Sequence, residues 1–295
     1  MKSTTHIIVV FMMCINVYAQ KLNVEITENT KSPYLVGKIN KTGLEGDNYK
    51  AWFTKNYTDY QPNLNITKNI ASALKDYNIQ VFMGTWCGDS KREVPKFYKI
   101  LEACNFPMTQ LEVVALSRET DSYKQSPQHE EAGLNIHRVP TFIFYKNGVE
   151  INRIVESPIG TLEEDIENII TVNTYKSNYQ IVAEVDAILK SSFLKGFKKQ
   201  RHKIIKTYKG KVESMYELNT YAHILFTTDK KQEALAVLQL NTKLFPDESR
   251  AFNSLATKLY AMGKTKKALK YFKKALKLDP ENEQIKKNIA ALKSN

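Results

Sequence analysis

Cysteine is scarce in this chain: Cys14, Cys87 and Cys104 are the three in 295 residues. That excludes a disulfide-stapled scaffold, which needs several pairs. No two cysteines have metal-knuckle spacing, and no histidine cluster supplies the missing ligands. Glycine is sparse too, at 11 residues, and no glycine-rich run has the spacing that cradles a phosphate. No serine, histidine and acid stand in the order of a nucleophilic triad. No nucleic-acid signature appears. Beyond the first twenty residues no apolar run is long enough to cross a bilayer as a helix. No metal or cofactor is therefore implied.

What is present fits two modest domains. The net charge is +12, from 43 Lys and Arg against 31 Asp and Glu, which permits anionic partners without establishing one. Residues 1–19 read as a signal peptide. Lys2 supplies the positive start, Ile7 to Ile15 the short apolar core, and Val17-Tyr18-Ala19 the small-residue site. Cleavage near Ala19 puts the mature chain outside the cytoplasm, in the periplasm or secreted. A lipoprotein anchored on Cys14 is the weaker alternative, because Phe11-Met12-Met13 lacks a small residue before it.

The chain centres on Met83-Gly84-Thr85-Trp86-Cys87-Gly88-Asp89-Ser90. It follows an apolar strand pattern, Ile79 to Phe82, and precedes a helix pattern. A thiol at that junction meets backbone N–H groups and the positive end of the helix dipole, which favour thiolate. Ser90 stands three residues on, where a dithiol pair would have its second sulfur. Cys104 cannot take that place. Val94, Phe97, Ile100, Leu101 and Cys104 form one apolar stripe, so Cys104 reads as a core thiol. A helix rising 1.5 Å per residue puts it roughly 25 Å from Cys87, and a disulfide needs Cα atoms within about 7 Å. Pro95 lies inside this helix and predicts a kink.

Residues 20–44 read as a polar lead-in with one or two strands. Helix periodicity over Asn48 to Tyr60 and Thr67 to Asp76 precedes the strand. Leu111 to Leu116 is a second strand, and a polar loop with a short helix is expected over Ser117 to Leu134. Pro140 opens an apolar strand to Tyr145. Asn147-Gly148 turns it into a hairpin with Val149 to Val155. Thr161 to Glu164 is a capping box for the next helix.

Residues 45–172 thus resemble a thioredoxin fold. The resemblance rests on Trp86-Cys87-Gly88 at the strand–helix turn, Pro95 eight positions later, Val139-Pro140-Thr141, and Lys146-Asn147-Gly148. It implies a cis bond at Val139-Pro140 facing Cys87, and thiol–disulfide chemistry. Two departures stand out. Cys87-Gly88-Asp89-Ser90 lacks the resolving cysteine, and Val81 replaces the buried aspartate that would deprotonate it.

Residues 173–214 read as a helical, basic connector. Lys195 to Lys211 carries eight Lys and Arg and no acid. It is read as a solvated helix face, with weak contact to an anionic surface as the sharper alternative. Phe193, Leu194, Phe197, Ile204, Ile205 and Tyr208 interleave and predict packing on the other side. Residues 215–295 contain a repeat, since Pro246 and Pro280 stand 34 apart. Unit 249–282 carries Phe252, Leu255, Ala256, Leu259, Gly263, Ala268, Phe272, Ala275 and Pro280, and resembles a tetratricopeptide repeat. Unit 215–248 is more divergent, with Asn241 at a usually small position, and a capping helix follows. The fold class is therefore an α/β thioredoxin-like domain followed by an all-α tetratricopeptide array.

Three readings of Cys87 compete. It is a monothiol exchange residue, or a remnant in a binding module whose cis-proline edge takes an extended peptide, or structural only. Trp86, Gly88, Asp89, Ser90, Arg138, Val139 and Pro140 surround it in each. Asp89 opposes thiolate by charge and Arg138 aids it, although Asp89 and Ser90 also suit a first helical turn. His129 and His137 read as packing or surface residues. Protein or peptide clients are expected at the cis-proline face and the repeat groove, and the oligomeric state stays open.

Overall fold

The computed structural model describes residues 21–28, 30–172 and 175–292. The leader expected at 1–19 lies outside them. The elements are β1 (Val24–Glu28), β2 (Lys31–Ile39), α1 (Lys41–Leu44), α2 (Lys50–Asp59), α3 (Leu64–Leu74), β3 (Asn78–Met83), α4 (Gly88–Ala103), β4 (Leu111–Ala115), β5 (Thr141–Lys146), β6 (Val149–Val155) and α5 (Leu162–Thr171). The helical part follows as α6 (Gln180–Tyr208), α7 (Tyr216–Thr227), α8 (Lys231–Leu244), α9 (Ser249–Ala261), α10 (Thr265–Leu278) and α11 (Glu283–Ala291).

The strands form one sheet in the order β1-β2-β4-β3-β5-β6. β3 pairs parallel with β4 and antiparallel with β5, so Val81 sits between Val113 and Phe142. The period-two alternation of strands divides β3 between two cores. Ile79, Val81 and Met83 face α2 to α5, while Phe82 packs with Val114, Val139 and Ile143 on the other face. The first strands belong to this same sheet. β2 buries Tyr34, Leu35 and Val36 and pairs antiparallel with β4, so the lead-in is part of the domain rather than an appendage.

α4 runs unbroken through Pro95. A proline there removes the N–H that would bond the carbonyl four residues back. That carbonyl, on Lys91, instead accepts from the Asn56 side chain on α2 at 3.1 Å. The hairpin turn has Asn147 and Gly148 at φ 53° and 75°, the left-handed pair a tight turn requires. Thr161 and Glu164 form the capping box.

The helical part packs around its own core, which takes Leu218, Tyr221, Ala222, Leu225, Phe252, Leu255, Ala268, Phe272 and Ala275. Asn241 fits the small-residue position because its amide donates to Met215 O at 2.8 Å. α6 departs from expectation at one residue. Phe193 takes φ 52° and ψ −174° inside it and is 75% exposed, so it breaks the helix instead of packing. Beyond the break Phe197 and Ile204 are buried, and Lys195, Lys198, Lys199, Lys203, Lys206 and Lys209 are exposed, a wet face on a packed helix.

Candidate active site

β3 ends at Met83, and the chain turns through Gly84, Thr85 and Trp86 into α4. Cys87 N–H closes the turn on Gly84 O at 2.9 Å. Gly84 has to be glycine, since a Cβ there would stand 2.6 Å from the Trp86 ring. Trp86 donates its indole N–H to Leu116 O at 2.8 Å, tying the turn to the end of β4. Thr85 Oγ1 accepts Leu35 N–H at 3.0 Å, tying it to β2. The turn is therefore held by both neighbouring strands before the helix starts.

Cys87 is the N-cap of α4 and is partly exposed. A Cβ on Gly88 would meet nothing within 4 Å, so the approach to the thiol is open on that side. The thiol donates to Val139 O at 3.2 Å, and the Val139-Pro140 bond is cis. Asp89 Oδ2 lies 3.9 Å from the same sulfur, but its other oxygen pairs with Arg92 at 2.8 Å. Ser90 is fully buried and its hydroxyl accepts Gly84 N–H at 3.1 Å. It satisfies the strand end and not the first helical turn, where no side chain caps the N–H groups. Val139 and Pro140 are buried, and Pro140 O is taken by Glu156 N–H at 2.7 Å. Arg138 reaches Glu156 at 3.1 Å and lies 4.8 Å over the Tyr179 ring, so its charge is already paired.

Cys104 closes the other end of the same helix. It is fully buried, its thiol donates to Thr67 O at 3.5 Å, and burial pushes it up to about 11. Both cysteines are free, and Cys104 packs in the α2 to α5 core.

Several residues of the site had no legible signal in the sequence. In the loop expected to hold a short helix at Ser117 to Leu134, the helix is a single 3-10 turn, Thr120–Ser122. Ser117 and Lys124 close it by backbone bonds, which leaves Tyr123 against Trp86 at 5.8 Å between ring centres. Lys124 is buried and donates to His137 O. Burial first, and then Arg138, push its ammonium down to about 8. His137 is buried between Tyr179 and Tyr221, and burial pushes it down to about 3. The helical part thus docks beside the cis-proline loop. Asp186 on α6 accepts from Tyr221 at 3.0 Å and from Asn135. On α7, the His223 ring lies 5.7 Å from Tyr123. Aromatic and acid–amide contacts of this kind join distant segments, so no local pattern announces them. Among the described residues no cluster of His, Cys, Asp and Glu would hold a metal, and no helix is long and apolar enough to cross a membrane.

The sheet order, the single thiol at the β3–α4 turn and the cis-proline loop against it define a thiol-bearing α/β domain followed by paired helices. The comparisons with known proteins agree. An 86-residue stretch is 33% identical to thioredoxin-1 of Schizosaccharomyces pombe, covering 29% of this chain and 74% of that protein. Residues 249–282 match the tetratricopeptide repeat family model. The chain belongs to the thioredoxin family and carries a tetratricopeptide repeat in its helical tail.

Proposed function

We propose that this is an exported protein that captures clients through one thiol, Cys87, with the helical tail as its protein-binding half. Cys87 thiolate attacks one sulfur of a client disulfide. The Cys87–client S–S bond forms as the client's bond breaks, and the released sulfur leaves as thiolate and takes a proton. An external thiol then attacks the mixed disulfide and frees Cys87. What carries this reading is a single open thiol at a helix N-terminus, with Ser90 sealed inside and Cys104 buried at the far helix end. Client chains approach along the cis-proline face and the groove of the repeats. Export rests on the leader pattern of residues 1–19. The second reading, a non-catalytic adaptor, is favoured by the ion pair that occupies Arg138.

The mixed disulfide has no internal resolving thiol, so wild-type protein accumulates adducts. On non-reducing gels from an oxidising compartment, wild-type protein shows reducible higher-mass bands that Cys87→Ser lacks. Wild-type protein without such bands would overturn the exchange reading and leave the adaptor.

A further inference from the structure

The helical tail carries a strongly basic patch on α6. Between Asp186 and Glu213 the chain has no acid, and Lys195 to Lys211 holds eight Lys and Arg. At about 100° per residue, Lys195, Lys198, Lys199, Lys203, Lys206 and Lys209 fall within an arc of roughly 140°. All six are exposed, and Phe197 and Ile204 are buried on the opposite side. From Lys195 to Lys209 the stripe is roughly 21 Å long. The two acids that precede it on α6 are engaged elsewhere. Asp186 pairs with Lys190 at 2.9 Å, and Glu184 bonds the Tyr208 hydroxyl. Among the described residues no carboxylate forms an ion pair with any of the six lysines.

Phe193 stands at the N-terminal end of this stripe and is 75% exposed. Its neighbour Leu194 packs against the core of the tail. At φ 52° and ψ −174° the Phe193 backbone lies where glycine is at ease and other residues are strained. The break brings Ser192 so close to Gly196 that a Cβ on Gly196 would stand 2.2 Å from Ser192 Cβ. The chain therefore holds a costly conformation, with a glycine making room for it, and the outcome is an aromatic ring turned out of the core beside a row of unpaired cations.

We propose that this face docks the protein on an anionic phospholipid bilayer, with the lysines at the headgroups and the Phe193 ring at the acyl boundary. A bilayer surface is flat and laterally fluid, so it meets every lysine of a straight stripe at once. Seven of the eight basic residues are Lys. These are point charges that suit mobile headgroups, whereas fixed phosphates and carboxylates are gripped by guanidinium forks. Single-stranded nucleic acid takes a row of stacking rings, and this patch offers one exposed ring, placed to insert. Lysines on one face with an aromatic anchor are the make-up of a helix that lies in a membrane interface. The proposal uses neither Cys87 nor the repeat groove, so it stands or falls apart from the exchange reading.

The test uses the chain from Gln20 to Asn295. It contains every described element and lacks the apolar segment Ile7 to Ile15, which could insert by itself. Sedimentation with vesicles reads the partition coefficient on pure phosphatidylcholine and on phosphatidylcholine with about one third phosphatidylglycerol. At about 0.1 M NaCl the anionic vesicles are expected to bind at least about tenfold better, and about 0.5 M NaCl to remove most of the difference. A lysine near an anionic surface contributes roughly fivefold, so the combined Lys198→Gln, Lys199→Gln and Lys206→Gln variant should bind anionic vesicles about a hundredfold less. Phe193→Gly keeps the lysines and suits the backbone better. Its thermal unfolding should not fall, while its vesicle binding drops roughly fivefold. Equal binding to both vesicle types, or binding to neither, overturns the proposal. So does a triple variant or a Phe193→Gly protein that binds like the parent. A short DNA duplex and polyglutamate are titrated at the same salt, and tighter binding to either than to the anionic vesicles would assign the stripe to that partner and overturn the lipid reading.

Discussion

At the scale of single residues, the two thiols of the sheet domain show how position decides chemistry. Cys87 and Cys104 bracket one helix. Cys87 begins it in the open, and Cys104 ends it in the core, where burial raises its pKa. His137 makes a similar point at the docking face. It is 7% exposed, and its Nε2 has no partner among the described residues, so protonation would put an unpaired charge beside Lys124, Arg138 and Arg153. In the unfolded chain it titrates near 6.5, and in the folded protein near 3. Below pH 6.5 the unfolded chain therefore takes a proton that the folded one refuses. The contribution to stability is full above that pH and declines as pH falls, by about 2 kcal/mol at pH 5. Urea titrations at pH 7 and pH 5 should show this loss, and His137→Phe should flatten it. An unchanged slope in that variant would assign the loss to other groups.

Among elements, α4 is the piece that needed help. Its pattern and its proline were both legible, and the expected consequence was a distortion. The helix is continuous through Pro95, and α2 lends Asn56 to the carbonyl that the proline leaves free. Removing one partner of such a bond strands the other, at about 1–3 kcal/mol. Asn56→Ala should lower unfolding stability by that much. Pro95→Ala in the same background should recover part of the loss, because an alanine N–H satisfies Lys91 O. A double-mutant cycle with no coupling would refute the link. The basic stretch of α6 behaved as a solvated face, but Phe193 did not join its apolar side. Interleaved apolar residues predict packing only if the helix stays regular, and the left-handed residue in its middle rotates the register.

For the whole molecule, the decisive fact is that the helical tail is docked beside the cis-proline loop. Asp186 is the hinge of that contact. It accepts from Tyr221 and Asn135 and pairs with Lys190 at 2.9 Å. Burial and then Asp186 hold the Tyr221 phenol well above its ordinary range. Asp186→Ala leaves the Tyr221 hydroxyl and the Asn135 amide without that acceptor and should cost about 1–3 kcal/mol. Thermal unfolding followed by tryptophan fluorescence would register it, because Trp86 packs on Tyr123 and Tyr123 on His223 of the tail. A single unshifted transition would show that the docking does not depend on Asp186.

Local patterns carried much of this architecture. Apolar runs marked β3, β4 and β5, Asn147-Gly148 marked the hairpin, Thr161-Glu164 marked a helix start, and the 34-residue spacing marked the repeats. The strand, hairpin and cap signals depend on neighbours within a turn or two, and the repeat on one pattern recurring along the chain, so the order of residues is enough to read them. The turn Trp86-Cys87-Gly88-Asp89-Ser90 was legible as a single-thiol site for the same reason. What the turn faces was not. Val139, the adjacent Tyr123 and Lys124, and His223 behind Tyr123 come from three separate stretches. Only packing decides that Tyr123 meets both the thiol turn and the helical tail. It does so because a loop without helix or strand is placed by whatever its ends and side chains meet. Ser90 shows the same divide in one residue. Its identity alone removed the second thiol, but only the fold turned its hydroxyl inward onto Gly84.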